Sequence, residues 1–324
     1  MTVWLRSRRF DVGLQLGALA GIAPALVVWG ALTDARAASI LPLASLVAIP
    51  FVHVFGSFFM AFSTERNRSP SPPRRLAVEW ALWAAAALAL LRLWPRGLAT
   101  FALLYGGWHI FRQNFGFVRE LAGRAGRAGD RTLRRLDHLA CAAPALALWL
   151  LIAARGPWDF LGADVYHVPA PRWLVALAFA AIPTTILLRE RRAGPSAAGL
   201  LLLGGNALAL VGPALIVDDL TVIYTLAASY HGLQYLFYVA ERERERRPEF
   251  AGHAALLPLA SAIVLSMLAW SLAIGVVASV ASPGVANAVI VGVWYAVVPF
   301  HYFVDGRIWR KRPAALSLPR RVRA

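Results

Sequence analysis

Long apolar runs alternate along this chain with short loops rich in arginine and proline. An apolar run of about 18 residues or more is long enough to cross a bilayer core as helix. Ten such segments can be drawn, at 11–33, 38–62, 76–94, 98–118, 136–154, 172–188, 196–217, 220–240, 254–281 and 285–305. Backbone N–H and C=O groups in lipid must find partners within the segment, which makes helix the expected conformation. The pattern therefore predicts an all-α, polytopic membrane bundle of about ten helices. It forms a single integral membrane domain over 1–324, with 306–324 as a basic tail, and no stretch is left for a sizeable soluble domain. Most connections are short, as in the third loop "WPRG" and the seventh "DD", and no internal repeat is visible. The N-terminal "MTVWLRSRRFDVGLQLGALAGIAPALVVWGA" has a basic head and a long apolar run, and it reads as a retained first span rather than a signal peptide.

Composition agrees: the 324 residues are 59% hydrophobic, with a mean hydropathy of +0.59. The formal charge of +16 changes the picture only through its placement. Of the 33 lysines and arginines, 27 fall in the N-terminus, the even-numbered loops and the C-terminus; five fall in the odd-numbered loops, and Arg112 lies within a span. Such asymmetry predicts that both termini are cytoplasmic. Basic residues confined to short loops imply contact with membrane lipids and exclude a nucleic-acid partner, because no basic soluble module exists. The single Cys141 excludes an intramolecular disulfide and any CxxC metal or redox motif.

Ionisable and amide side chains are costly at membrane depth and normally face protein or water. Here they gather in four even-numbered spans. "IPFVHVFGSFFMAF" carries His53, and "YGGWHIFRQNFGFVRE" carries His109, Arg112, Gln113 and Asn114. "ASYHGLQYLFYV" carries Tyr230, His231, Gln234 and Tyr235, and "VPFHYFVDGRIWR" carries His301, Tyr302 and Asp305. All four spans run in the same direction. His53, His109 and His231 stand nine or ten residues before the cytoplasmic ends of their spans, a depth of roughly 13–15 Å at 1.5 Å per residue. His301 is nearer its end, and Asp137 and His138 open span 5 on the same side. His109 with Gln113, and His301 with Asp305, are four apart; His231 and Gln234 are three apart, so each pair shares a helix face.

The four histidines, His53, His109, His231 and His301, are the candidate metal ligands, with Asp305 a ligand or the acceptor that fixes a tautomer. Gln113, Gln234, Tyr235 and Arg112 are candidates to orient ligands or substrate. Two alternatives stand open. Asp305 can instead pair with Arg307 or Arg310, and Arg112 can snorkel to the cytoplasmic surface. Pro50 and Pro299 would kink the helices carrying His53 and His301, and Gly106, Gly107 and Gly232 allow close helix approach. Trp94, Trp158, Trp173 and Trp309 read as interfacial belt, Glu79 as an interfacial side chain, and His167 and His253 as surface residues.

The stretches "WHIFRQNFGFVRE", "SYHGLQYLFYV" and "HYFVDGRIWR" resemble a group of bacterial multi-span membrane proteins of undefined function. That group carries His-RQ-Gly, His-x-x-Gln-Tyr and His-Tyr-Asp-Trp patterns. The resemblance implies a common site and a bacterial cytoplasmic (inner) membrane location without naming a chemistry. In having isolated histidines on separate helices, the chain also resembles the bacterial β-carotene dioxygenases, in architecture alone. No HxxxH or HxxHH box, GxGxxG, P-loop or GxSxG occurs. These features together predict a membrane metalloenzyme, a non-haem iron oxygenase or related redox enzyme acting on a lipophilic small molecule. The same polar cluster also suits a transporter, or a haem-binding electron-transfer protein.

Overall fold

A computed structural model of the protein describes residues 4, 7–20, 53, 54, 57, 73–246 and 283–310. Among these residues the structure is helical, with one small hairpin. The helices are α1 (Arg8–Ala20), α2 (Pro73–Leu93), α3 (Pro95–Arg124), α4 (Arg131–Arg155), α5 (Arg172–Ala193), α6 (Ala197–Ile216), α7 (Leu220–Arg246) and α8 (Pro283–Arg310). His53, Val54 and Ser57 are also helical. Most of span 1, the rest of span 2 with Pro50, span 9 and His253 lie outside the described residues.

Among the described residues five helices, α2, α4, α5, α6 and α8, are long and apolar enough to cross a membrane. Their outward faces suit lipid: Val78, Leu82 and Leu88 on α2 and Trp173, Leu177 and Leu187 on α5 are all exposed. The helices overrun the expected apolar limits chiefly at their arginine-rich ends. Arginine and glutamate are good helix formers, and i,i+4 pairs such as Glu120–Arg124 (2.9 Å) hold the extra turns.

Three features position the site. The first is Pro299, inside α8. Proline has no N–H, so the carbonyl of Tyr295, four residues earlier, loses its helical donor. The Trp83 indole of α2 donates to that carbonyl instead, at 3.0 Å. The turn that carries His301 is thereby tied to α2. Trp83→Phe is expected to leave the Tyr295 carbonyl unsatisfied and to cost about 1–3 kcal/mol, read as a lower midpoint in SDS or thermal unfolding of the detergent-solubilised protein.

The second feature is a buried charge cluster where α3, α4 and α5 meet. Asp137 is fully buried and receives Arg119 at 2.8 Å and Arg189 at 3.0 Å. Arg189 also pairs with Glu190, whose other oxygen accepts the Ser196 amide at 2.7 Å. At the rim, Asp130 caps α4 by accepting the Leu133 amide (2.9 Å) and also receives Arg192 (3.0 Å). The Leu133 amide, aided by Arg192, holds the Asp130 carboxyl below its ordinary range.

The third is the segment between α4 and α5. The sequence pattern there shows only a mixed, aromatic loop. The structure forms an antiparallel hairpin of β1 (Asp159–Phe160) and β2 (Ala163–Asp164), with Asp159 opposite Asp164 and Phe160 opposite Ala163. The two-residue turn has positive φ at both Leu161 (54°) and Gly162 (77°). Glycine takes that geometry freely; leucine does so only under constraint. Trp158 packs its ring on the core, and its indole donates to the Ile152 carbonyl at 2.8 Å.

Candidate metal centre

Four imidazoles from segments far apart in the chain meet in one place. His53 sits in helical backbone, His109 on α3, His231 on α7 and His301 on α8, and none is more than 5% exposed. Ring centroids are 4.9 Å apart for His53–His231 and for His109–His231. They are 5.0 Å apart for His53–His301 and 5.1 Å for His109–His301. His53 and His109 are 5.9 Å apart. One reason for this closeness is Gly232. A Cβ there would lie 2.9 Å from the Cβ of His53. Neither atom can rotate away, so only glycine lets α7 approach this closely.

Asp305 stands with the histidines. Its carboxylate is 1% exposed and faces the imidazoles. Oδ2 lies 3.5 Å from His109 Nε2 and 3.7 Å from His53 Nε2, and Oδ1 accepts from the Tyr235 hydroxyl at 3.4 Å. The i,i+4 spacing places Asp305 one turn beyond His301 on the same face.

One donor atom from each of His53, His109, His301 and Asp305 lies within 4.8 Å of the other three. Metal–ligand bonds of about 2.0–2.2 Å place neighbouring donors roughly 3.3 Å apart in a tetrahedron and trans donors roughly 4.2 Å apart in an octahedron. The separations of 3.5 and 3.7 Å already suit such an ion, and the widest must close by about half an ångström. His231 touches the cluster through its ring but stands outside this four-donor group.

Hydrogen bonding makes the same case. Among the described residues, both ring nitrogens of His53 and His231, Nε2 of His109 and of His301, and Asp305 Oδ2 are buried without a partner. A buried polar atom left unpaired costs roughly 1–3 kcal/mol. Such orphaned imidazole nitrogens around one carboxylate could hold a cation, and the residues present fit one.

The remaining candidates divide. Tyr235 joins the cluster, its ring 4.3 Å from His53. Gln113 is buried one turn below His109, with both amide atoms unpartnered among the described residues. Gln234 donates to Gln15 Oε1 (3.3 Å) and to the Tyr230 hydroxyl (3.2 Å), which ties α7 to α1. Arg112 is not brought to the site. It is exposed, and its guanidinium lies 5.9 Å from the Trp108 ring and 5.7 Å from the Phe115 ring, which share its flank at i−4 and i+3. His138 is also exposed and packs against Phe111 and Phe115, away from the cluster.

Further polar and aromatic side chains surround the site. Tyr302 stacks on His109 at 4.4 Å and shares a hydrogen bond with Tyr224. Gln15 accepts from the Tyr230 hydroxyl at 2.6 Å, and Asn114 donates to Asn206 at 2.5 Å. The signal for Gln15 and Asn206 was present as a lone amide inside an apolar run, in "GLQLG" and "LLLGGNALAL".

No family model matches the chain, and neither a curated protein nor a solved structure matches it.

Proposed function

We propose that this is an integral membrane metalloenzyme in which His53, His109, His301 and Asp305 hold one divalent ion, with His231 beside it. The observation that carries this reading is the group of four donors, each almost wholly buried and within 4.8 Å of the others. Imidazoles with one carboxylate and an open position suit non-haem iron, which supplies redox and oxygen-activating chemistry when bound. The reaction is therefore an oxidation, of oxygenase type, of a lipophilic molecule, in the bacterial cytoplasmic membrane. Tyr235 orients Asp305, Tyr302 orients His109, and the apolar surround excludes water. Ten spans with both termini in the cytoplasm belong to this reading and are supported by the placement of arginine. The close edge-to-face packing of the imidazoles favours an ion over a haem, whose macrocycle would have to part them.

The test is metal analysis and an optical spectrum of the purified protein in detergent. About one iron per chain and no haem band are expected. His109→Ala and His301→Ala should each reduce the ion to background while the protein stays folded. Full metal content in both variants would remove the proposal.

A further inference from the structure

A cavity runs from the imidazoles along the facing sides of α7 and α8. On α7 it passes from His231 to Thr225 and Tyr224, and on α8 from His301 to Val298 and Trp294. His231 and Tyr224, like His301 and Trp294, are seven residues apart, about 10 Å along a helix. Its volume, counted as the space open to the centre of a water molecule, is ≈ 20 Å³. A single water needs about 10–15 Å³ on this measure. The cavity thus admits one or two molecules of that size and no larger substrate. Beyond the imidazoles its lining among the described residues holds hydroxyls, an indole and apolar groups, with no arginine, lysine or carboxylate.

The end away from the imidazoles is lined by aromatic rings. Tyr224 and Trp294 stand 5.8 Å apart, and Phe160 of the hairpin lies 5.2 Å from each. Phe160 is 1% exposed, so the hairpin drives it into the bundle behind this wall. Burial does most to hold it there: Phe160, Leu161 and Val165 belong to the core, and the Val165 amide donates to the Trp158 carbonyl at 2.9 Å. The hairpin has two residue pairs, Leu161 adopts a φ of 54°, and the Leu161 amide donates to Thr221 Oγ1 at 3.0 Å. A two-stranded hairpin has little stability of its own, and a leucine held at positive φ stores strain that release of the turn would relieve.

We propose that this cavity is the route by which a small uncharged ligand, of the size of dioxygen, reaches the imidazole–carboxylate cluster, and that the Phe160 hairpin is its gate. The inference rests on the metal-centre reading for what the ligand meets at the end of the route. It assigns the cavity to the gaseous co-substrate; it does not assign it to the lipophilic one.

The test places a thiol in the route of the full-length protein. Thr225→Cys puts it on a buried cavity residue, and Cys141, itself buried, is measured alone as background. Hydrogen peroxide, uncharged and about the size of dioxygen, and a trimethylammonium-ethyl thiosulfonate are applied in detergent without added metal, and labelling of the thiol is followed by intact mass. Phe160→Ala is expected to speed labelling by the uncharged reagent at least about tenfold, equivalent to about 1.4 kcal/mol. Thr221→Val, which removes the anchor without emptying the core, should speed it severalfold and decides the matter if Phe160→Ala fails to fold. The charged reagent should remain slow on the parent. Equal rates with the gate intact and loosened, or equally fast entry of both reagents into the parent, overturn the gate and leave the metal centre standing. Faster labelling in a protein that binds no ion upholds the gate and removes the metal centre alone.

Discussion

Asp137→Ala is expected to lower the unfolding free energy by about 3–5 kcal/mol, the usual cost of removing one partner from a buried ion pair. Asp137 faces Arg119 and Arg189, and with Glu190 the four charges balance. Without Asp137 the cluster holds one uncompensated cation, at a place where Arg189 is 2% exposed and cannot turn to water. Glu190 still pairs with Arg189, which argues for the lower end of the range. Asp137→Asn keeps the shape and one acceptor oxygen while deleting the charge, so it separates Coulomb attraction from hydrogen bonding; most of the loss should persist. SDS titration of the helical signal reads both variants. A midpoint within error of the parent for Asp137→Ala would show that the cluster contributes nothing net.

The extent to which this fold is legible in the sequence follows from what lipid demands. A span must be long and apolar, so α2, α4, α5, α6 and α8 declare themselves by composition. The helices α3 and α7 are harder to read, because polar residues dilute their apolar character: Arg112, Gln113 and Asn114 in one, His231 and Gln234 in the other. The overrun of the helices past their apolar ends is invisible to hydropathy, since arginine and glutamate end a span without ending a helix. The hairpin escapes for another reason. Its turn holds leucine at a position that turn chemistry assigns to asparagine, aspartate or glycine, and only burial of Phe160 and Leu161 against the bundle holds that geometry.

The site was legible as a set of residue types at one depth, because each intramembrane histidine is too costly to be idle. What spacing alone cannot give is azimuth between helices. Arg112 lies three residues from His109, yet it falls on the flank with Trp108 and Phe115, whereas Gln113, one residue on, is buried. The same limit applies to His231. Its depth matches the others and its ring touches two of them, but its nitrogens fall outside the four-donor group. Asp305 was ambiguous because arginines follow it closely in the chain; the packing of α8 against the other helices, not local sequence, turns its carboxylate inward.

Asp305→Asn should therefore be the most informative change at the centre, with the ion's affinity falling by about 100-fold or more, or about 2.7 kcal/mol. Asp305 is the sole anion among the four donors. Three neutral imidazoles can still ligate, but they leave a dication's charge unmatched in a low-dielectric interior, where Coulomb attraction is strongest. Asparagine preserves the volume and keeps an acceptor for Tyr235, so the fold should hold and the unfolding midpoint should move little. The pattern of residual binding carries a second reading. Loss of the carboxylate should weaken iron and manganese, which suit oxygen donors, more than copper, for which imidazole alone is a good ligand. Competitive metal titration of the apo-protein, parent against variant, measures both effects together. Unchanged affinity for every ion would place Asp305 outside the coordination sphere and return it to the role of a hydrogen-bond acceptor for Tyr235 and the neighbouring imidazoles.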